Sequence, residues 1–342
     1  RMSRIFLGFS ISSGISVTPN LSVSNGTCQG KARPPALCLY PWLPKMPLDV
    51  EERRFVSSDG TDIAYQIRGE GPPILFCNGL GGRFSAWSHQ IRHFEGRYRV
   101  ICWDYRGLHD SARPTDPHAL TVRDHARDAL ELLAEEGIER TALVGWSMGA
   151  QVALEVFREA PEKVASLAFI NGVPGRPWDF VLNIGALGRV LPMFLRGLGS
   201  VPGLIEAVVR QLARMPEAIQ WSKRVGLTAR VVDEDLLAQI AEDFGKLDMK
   251  IYIELLQAMG RHDGWDALSQ IDVPTLIVAG SRDPLTPRAA AERMARRIAG
   301  SELLIVPGAT HYAPIEYPDM LNLRLDKFFR ERGYEAPAKL DG

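Results

Sequence analysis

The sequence predicts an α/β fold: a mostly parallel central sheet flanked by helices, with a helical segment inserted between two of its strands. Two observations carry this. Short runs that are apolar throughout ("PPILFC", "YRVICW", "TALVG", "VASLAFI", "VPTLIVAG", "ELLIVPG") alternate with amphipathic segments at helical spacing. Strands buried on both faces read as unbroken apolar runs, so such a sheet must be parallel and covered by helices on each side. The second observation is a stretch from about 173 to 269 that holds several apolar helical segments and no clear strand.

The elements follow in order. "RRFVSSDGTDIAYQIRG" reads as two strands around a turn at Asp59-Gly60. "PPILFCNGLGG" is a short buried strand running into a glycine-rich loop, and "YRVICWDYRG" is another buried strand. "TVRDHARDALELLAEEG" is an amphipathic helix stopped by Gly137. "RTALVGWS" is a strand, "MGAQVALEVFREAP" a helix ended by Pro161, and "VASLAFING" a further strand. After the insertion, strand and helix alternate again through "VPTLIVAG", "RAAAERMARRIAG", "ELLIVPG" and "PDMLNLRLDKFFRERG". The expected division is an N-terminal extension over 1–48 and one α/β domain over 49–342, with a helical cap at about 173–269 inserted in it.

Composition narrows the function classes. The chain has 342 residues, 46% hydrophobic and 24% charged, which is enough to bury a full core. Its formal net charge of −1 points to no nucleic acid and no acidic membrane as partner. A membrane-spanning helix needs roughly 18 uninterrupted apolar residues. The best candidate, "VLNIGALGRVLPMFLRGLG", is broken by Arg189, Pro192, Arg196 and several glycines, so no transmembrane segment is expected. Nothing in the sequence sets an oligomeric state.

Cys28, Cys38, Cys77 and Cys102 show no metal-ligand spacing, and no metal is expected. Cys77 and Cys102 lie in strand-like runs. The preferred expectation is buried reduced thiols in a reducing, cytoplasmic compartment; a bridge between them stays open if the two strands are neighbours. The first 48 residues contain no Asp or Glu and five basic residues, Arg1, Arg4, Lys31, Arg33 and Lys45. They are expected to be a disordered or artefactual extension, with Met46 as a candidate initiator. A transit or secretion signal is the alternative, but "IFLGFSISSGISV" is only weakly apolar and no cleavage site stands out.

The chemistry centres on "ALVGWSMGAQVALEVF", where Ser147 stands between Gly145 and Gly149 as a strand gives way to a helix. A turn that sharp strains the residue at its apex and crowds its neighbours, which must therefore be small. The following helix aims backbone N–H groups and a partial positive charge at any developing anion. A serine hydroxyl needs a base to take its proton, and the base needs an orienting group. His311, in "GATHYAP" directly after an apolar strand, is the candidate base, at the sheet edge where open α/β sheets place ligands. His89, His93 and His125 are expected on solvated helical surfaces, His118 in a loop and His262 near the end of the cap. Asp283 in "VAGSRDPLTP" is the candidate acid and completes the chain order Ser…Asp…His; a simple turn before Pro284 is the other reading of it. An acid after "LAFING" is the alternative, but Asn171 and Gly172 occupy that place.

Two backbone donors are needed for an oxyanion. The amide of Met148 is one candidate and that of Leu80, in "CNGLGG", the other, with Gly79 letting the backbone approach the serine. Asn78, Trp146, His109 and Trp178 are candidates for substrate contact.

From about residue 50 to 335 the chain resembles the α/β-hydrolase superfamily, in its cap-bearing branch of small serine esterases (the AB hydrolase-1 type). The resemblance rests on "CNGLGG", "DYRGLHDS", "GWSMG", "GSRDPLTP" and "GATHYAPIEYP", in the family's order. It implies an α/β-hydrolase fold, with Ser147 matching the family's nucleophile, Asp283 its acid and His311 its base. Two positions depart from the pattern: Asn78-Gly79 where His-Gly is usual, and His109 where a glycine is usual. A serine nucleophile argues against the related dehalogenase and epoxide-hydrolase branches, which attack with Asp.

The expected activity is hydrolysis of a carboxylic ester of a small, moderately apolar substrate through an acyl-enzyme, with water as the second substrate and no cofactor. Perhydrolysis, thioester, lactone or carbon–carbon bond hydrolysis would use the same three residues. From other classes, a non-catalytic ligand-binding module on this fold and a cap that touches a membrane surface remain as competitors.

Overall fold

A computed structural model describes residues 50–179, 202–213 and 215–335. The expectations for residues 1–48, for Cys28 and Cys38, and for the apolar stretch 181–199 fall outside the described residues.

The chain opens with the antiparallel pair β1 (Glu51–Val56) and β2 (Asp62–Arg68), joined through Gly60 at φ 84°. There follow β3 (Pro73–Cys77), α1 (Ser88–Phe94), β4 (Arg99–Trp103), α2 (Val122–Glu135), β5 (Thr141–Trp146), α3 (Met148–Glu159) and β6 (Val164–Ile170). The next described elements are helices: α4 (Pro202–Ala213), α5 (Pro216–Arg224), α6 (Glu234–Phe244) and α7 (Met249–Arg261). The sheet resumes with β7 (Thr275–Gly280), α8 (Arg288–Ala295) and β8 (Glu302–Val306), and α9 (Ala313–Glu316) and α10 (Pro318–Glu331) follow.

Among the described residues the strands form one eight-stranded sheet in the order β1-β2-β4-β3-β5-β6-β7-β8. β2 pairs antiparallel with β1 and β4, and every pairing from β4 to β8 is parallel. Side chains alternate across a strand, so a strand covered on both sides feeds two cores. Leu75, Ile101, Leu143, Leu167 and Ile277 pack with Leu132 and Val152 on the side of α2 and α3. Phe76, Val100, Val144, Ala168 and Val278 pack with Ile91, Phe94, Leu325 and Phe328 on the side of α1 and α10. This is why the central strands read as unbroken apolar runs.

The same alternation decides the cysteines. Phe76, not Cys77, stands opposite Cys102 in the β3–β4 register. The two thiols therefore point to opposite cores, both buried and both free, and the bridge left open from the sequence does not form. One histidine also differs from expectation. His125 is not a solvated surface residue: it is fully buried on the inner stripe of α2, its ring 4.5 Å from that of Tyr105. Its neighbours Ala126, Ala129, Leu132 and Leu133 fill that stripe, and helical spacing puts His125 in line with them.

Among the described residues no helix is long and apolar enough to cross a membrane.

Candidate active site

Parallel strands deliver all their C-terminal ends to one edge, and every loop singled out from the sequence starts there. Ser147 leaves β5, at the middle of the parallel strands. The glycine-rich loop leaves β3 on one side of it. Asn171 follows β6, Asp283 follows β7 and His311 follows β8 on the other side.

Ser147 is the sole residue between β5 and α3, with φ 56° and ψ −117°. That backbone region is costly for a non-glycine residue, on the order of 1–3 kcal/mol, and is tolerated where surrounding packing enforces it. The enforcement is visible. A Cβ on Gly149 would lie 2.0 Å from the Cys77 carbonyl oxygen, and one on Gly145 would lie 2.3 Å from the Gly149 carbonyl. A Cβ on Gly172 would come within 2.4 Å of Ala150 Cβ. Glycine at 145 and 149 thus lets α3 start directly against the ends of β3 and β5.

His311 Nε2 is 2.9 Å from Ser147 Oγ, and His311 Nδ1 is 2.9 Å from Asp283 Oδ2. β7 lies two strands from β5, about 10 Å away at normal strand spacing, and the imidazole spans the gap between the two side chains. Asp283 does double duty. Its Oδ1 accepts the amides of Leu285 (2.8 Å) and Thr286 (2.9 Å), which is the turn before Pro284 foreseen as the alternative reading. Its Oδ2 faces His311 and also accepts from Thr286 Oγ1 at 2.6 Å and Asn171 Nδ2 at 2.7 Å. Burial by itself would push this carboxyl up, but the bonds from His311 and Thr286 outweigh it and hold Asp283 below the ordinary carboxylate value.

The loop after β3 closes on Gly79–Gly82, with Gly82 N donating to Gly79 O at 2.9 Å and Gly81 at φ 79°. That is a type II pattern, which requires glycine at its third position. A Cβ on Gly79 would be 3.4 Å from Ser147 Cβ, so the loop backbone passes beside the serine. Among the described residues the amides of Leu80 and Met148 enter no turn or loop hydrogen bond with the backbone.

The four expected contact residues fare differently. Asn78 is fully buried: its Nδ2 donates to Trp103 O at 2.8 Å and its Oδ1 accepts from Trp87 Nε1 at 2.9 Å. Its carboxamide ties the start of the loop to β4 and is spent at both ends. Trp146 is also turned inward, its Nε1 donating to the His311 carbonyl at 2.9 Å and its ring 5.7 Å from that of Trp87. His109 lies in the loop after β4, with φ 49°, and its Nε2 donates to Gly81 O at 3.1 Å. Burial and the nearby Arg83 charge hold this imidazole below its ordinary pKa, hence neutral. Trp178 packs its indole on Gly260 of α7, where a Cβ would be 2.0 Å from Nε1.

The helices between β6 and β7 reach these loops. A Cβ on Gly81 would meet Leu247, Phe244 and Tyr252, each at 3.2 Å, and one on Gly107 would meet Ile251 at 2.8 Å. A cavity of about 310 Å³ opens at this junction, between Arg83 and His109 on one side and Asp243, Lys246 and Leu247 on the other. Asp104, at the end of β4, is fully buried beside it; burial pushes its carboxyl up to about 7, with Arg83 at 3.6 Å only partly opposing.

The family follows from sequence matching that agrees with this arrangement. The model of the family described as the α/β hydrolase fold matches residues 72–318. The chain belongs to the α/β-hydrolase family. Among its relatives, the putative carbamate hydrolase RutD of Azorhizobium caulinodans is 30% identical over 271 residues, covering 79% of this chain and 96% of that protein. The 3-oxoadipate enol-lactonase 2 of Acinetobacter baylyi is 24% identical over 252 residues, covering 73% and 86%. In fold, the α/β hydrolase is similar to the bromoperoxidase of Bacillus anthracis, with TM-score 0.68 and 18% identity over 82% of this chain and 99% of that one. The esterase of Exiguobacterium antarcticum gives TM-score 0.65 and 22% identity over 81% and 98%. The protein is a hydrolase of this family.

Sequence reasoning passed over Asn171 and Thr286, both of which donate to Asp283. Thr286 carried a signal, since Asp followed by Thr three residues later is a side-chain-to-backbone turn pattern. Asn171 was noticed only as the absence of an acid. Its φ of 44° is one that Asn tolerates better than most residues.

Proposed function

We propose that this hydrolase cleaves carboxylic esters of small, moderately apolar substrates through an acyl-enzyme on Ser147. The observation that carries this is the unbroken hydrogen-bond chain from Ser147 Oγ through His311 to Asp283, set at the N-terminus of α3. Ser147 Oγ attacks the ester carbonyl while His311 Nε2 takes its proton. Asp283 Oδ2 holds the Nδ1–H and stabilises the imidazolium that forms. The amides of Leu80 and Met148 receive the oxyanion, aided by the positive end of the α3 dipole. His311 then protonates the leaving alcohol and draws a proton from water, which releases the acid. Side chains and backbone amides complete every step, so this mechanism calls for no cofactor.

The segment at about 173–269 acts as a cap in this account. Support comes from Leu247, Phe244 and Tyr252 packing on Gly81, and from Gln151 of α3, whose Nε2 donates to Gly175 O at 2.8 Å near the start of the segment. The free buried thiols Cys77 and Cys102 favour a reducing, cytoplasmic setting.

A carbamate is the second reading, supported by the 30% identity to the putative carbamate hydrolase RutD; it presents the same carbonyl to the same serine. The test is turnover of p-nitrophenyl esters of increasing acyl length, with a carbamate, a lactone, a thioester and a carbon–carbon bond substrate alongside, by wild type and Ser147→Ala. Ester turnover that falls about 10⁴-fold or more in the variant supports the proposal. Turnover of the carbamate alone moves the substrate class and keeps the mechanism. Ester turnover unchanged in Ser147→Ala removes the mechanism.

A further inference from the structure

We propose that Glu316 is a positioning residue that holds the His311 loop in its reactive orientation and ties it to the 227–233 segment of the insertion. This rests on the reading of Ser147 and His311 as nucleophile and base. Glu316 ends α9 and is buried, at 4% exposure. Its Oε2 accepts the amide of Thr310 at 2.7 Å. Its Oε1 accepts the Thr310 hydroxyl at 2.6 Å and the amide of Ala229 at 2.6 Å.

Burying a carboxylate is expensive unless its oxygens are satisfied, and short bonds to an anion are about twice as strong as neutral ones. Here two of the three donors belong to one residue, the one that precedes His311. The Thr310 hydroxyl also lies 3.0 Å from the Leu227 carbonyl, but its single proton goes to the nearer, charged acceptor. The Thr310 carbonyl is taken in turn by Asn171 Nδ2 at 3.1 Å. Thr310 is therefore clamped at its N–H, its carbonyl and its hydroxyl, which fixes the peptide from which the His311 ring projects.

The third donor, Ala229, comes from the chain between α5 and α6. A second tie runs alongside, where Asp233 N donates to Ile315 O at 3.2 Å. One carboxylate thus joins the base loop to the helical insertion. Movement of the insertion at Ala229 reaches Thr310 directly through Glu316, alongside the apolar contacts that Val232, Leu236 and Leu237 make with Ile315.

The test uses Glu316→Gln, Thr310→Val and Thr310→Ser in the full chain. It reads kcat and KM on p-nitrophenyl butyrate, the melting temperature, and the downfield proton resonance of His311 Nδ1, assigned by its loss in His311→Ala. In Glu316→Gln kcat falls about 10²-fold with KM little changed, because misplacing a base by an ångström costs that much. Thr310→Val keeps the side-chain volume, loses one bond to the carboxylate and drops about tenfold. Both variants broaden or lose the Nδ1 resonance, while Thr310→Ser restores rate and resonance. If Glu316→Gln and Thr310→Val lower only the melting temperature, leaving kcat and the resonance as in wild type, the positioning role is wrong. Should wild type turn over no ester, the esterase reading fails while the resonance still decides Glu316. Should Glu316→Gln not fold, Thr310→Val decides it.

Discussion

Asn171 and Asp283 meet at a single oxygen: the Asn171 carboxamide donates to Asp283 Oδ2 at 2.7 Å, and the same oxygen lies 2.9 Å from His311 Nδ1. Asn171 thus occupies the strand end where an acid was the alternative, and there it donates to Asp283 one strand over. Asn171→Asp would set a second carboxylate against Asp283. Like charges disfavour ionisation, so the acidic limb of kcat/KM moves to higher pH and the plateau drops about tenfold. A pH–rate profile from acid to neutral checks this. An unmoved limb would mean that the contact has no bearing on the charge of Asp283.

Two buried aspartates give opposite pH signatures. Asp283 is held below the ordinary aspartate value of 3.8 by its hydrogen bonds, despite burial. Its contribution to stability is therefore present above the ordinary carboxylate pKa and lost as pH falls through its lower folded value. Asp104 is raised to about 7 from 3.8 by burial, so the folded state binds the extra proton and stability falls as pH rises between those values. Thermal melts at pH 5 and pH 8 separate the two. Asp104→Asn gains on wild type from pH 5 to pH 8, whereas Asp283→Asn is less stable than wild type at both.

His109 stands at φ 49° where a glycine would be unstrained, and its Nε2 donates to the carbonyl of Gly81. His109→Gly trades backbone strain for a more flexible unfolded chain, and stability changes by no more than about 1 kcal/mol. Catalysis responds differently. The Leu80–Gly81 turn loses its tether, and kcat falls about tenfold, as for a lost oriented donor. Melting temperature and kcat measured on the same preparation decide it; an unchanged kcat would leave His109 as a surface accommodation.

Gly149→Ala puts a Cβ 2.0 Å from the backbone oxygen of Cys77, with no flexible side chain to yield. The start of α3 must shift away from β3, at a cost of about 3 kcal/mol or more. The variant melts well below wild type and loses activity in its folded fraction, because Ser147 moves with the helix. Chemical denaturation and specific activity per folded molecule test both halves.

How much of this was legible from residues alone depends on what each residue signals. Apolar runs and glycine placement gave away the parallel sheet and the turn at Ser147, because close packing there leaves few residue types possible. Asp283 was ambiguous only in appearance, since its two oxygens serve the turn and the histidine separately. Asn78 and Trp146 misled because adjacency in sequence to a site says nothing about which way a side chain turns; both face the core. His125 misled because a polar residue on an amphipathic helix was assigned to the wet face, although its spacing matches the buried stripe. Asn171 meets Asp283, and Glu316 meets Ala229, across more than 80 residues of chain, and no local pattern encodes such contacts; the Glu316–Thr310 bonds span only six residues.

The proposed assignment of Ser147 as nucleophile carries every other role proposed for the site. Its most direct test is inactivation by a fluorophosphonate followed by peptide mapping of the adduct by mass spectrometry. One stoichiometric adduct on Ser147 is expected, formed in wild type and absent in His311→Ala on the same timescale. An adduct on another residue, or no adduct in a folded wild-type protein, would contradict it.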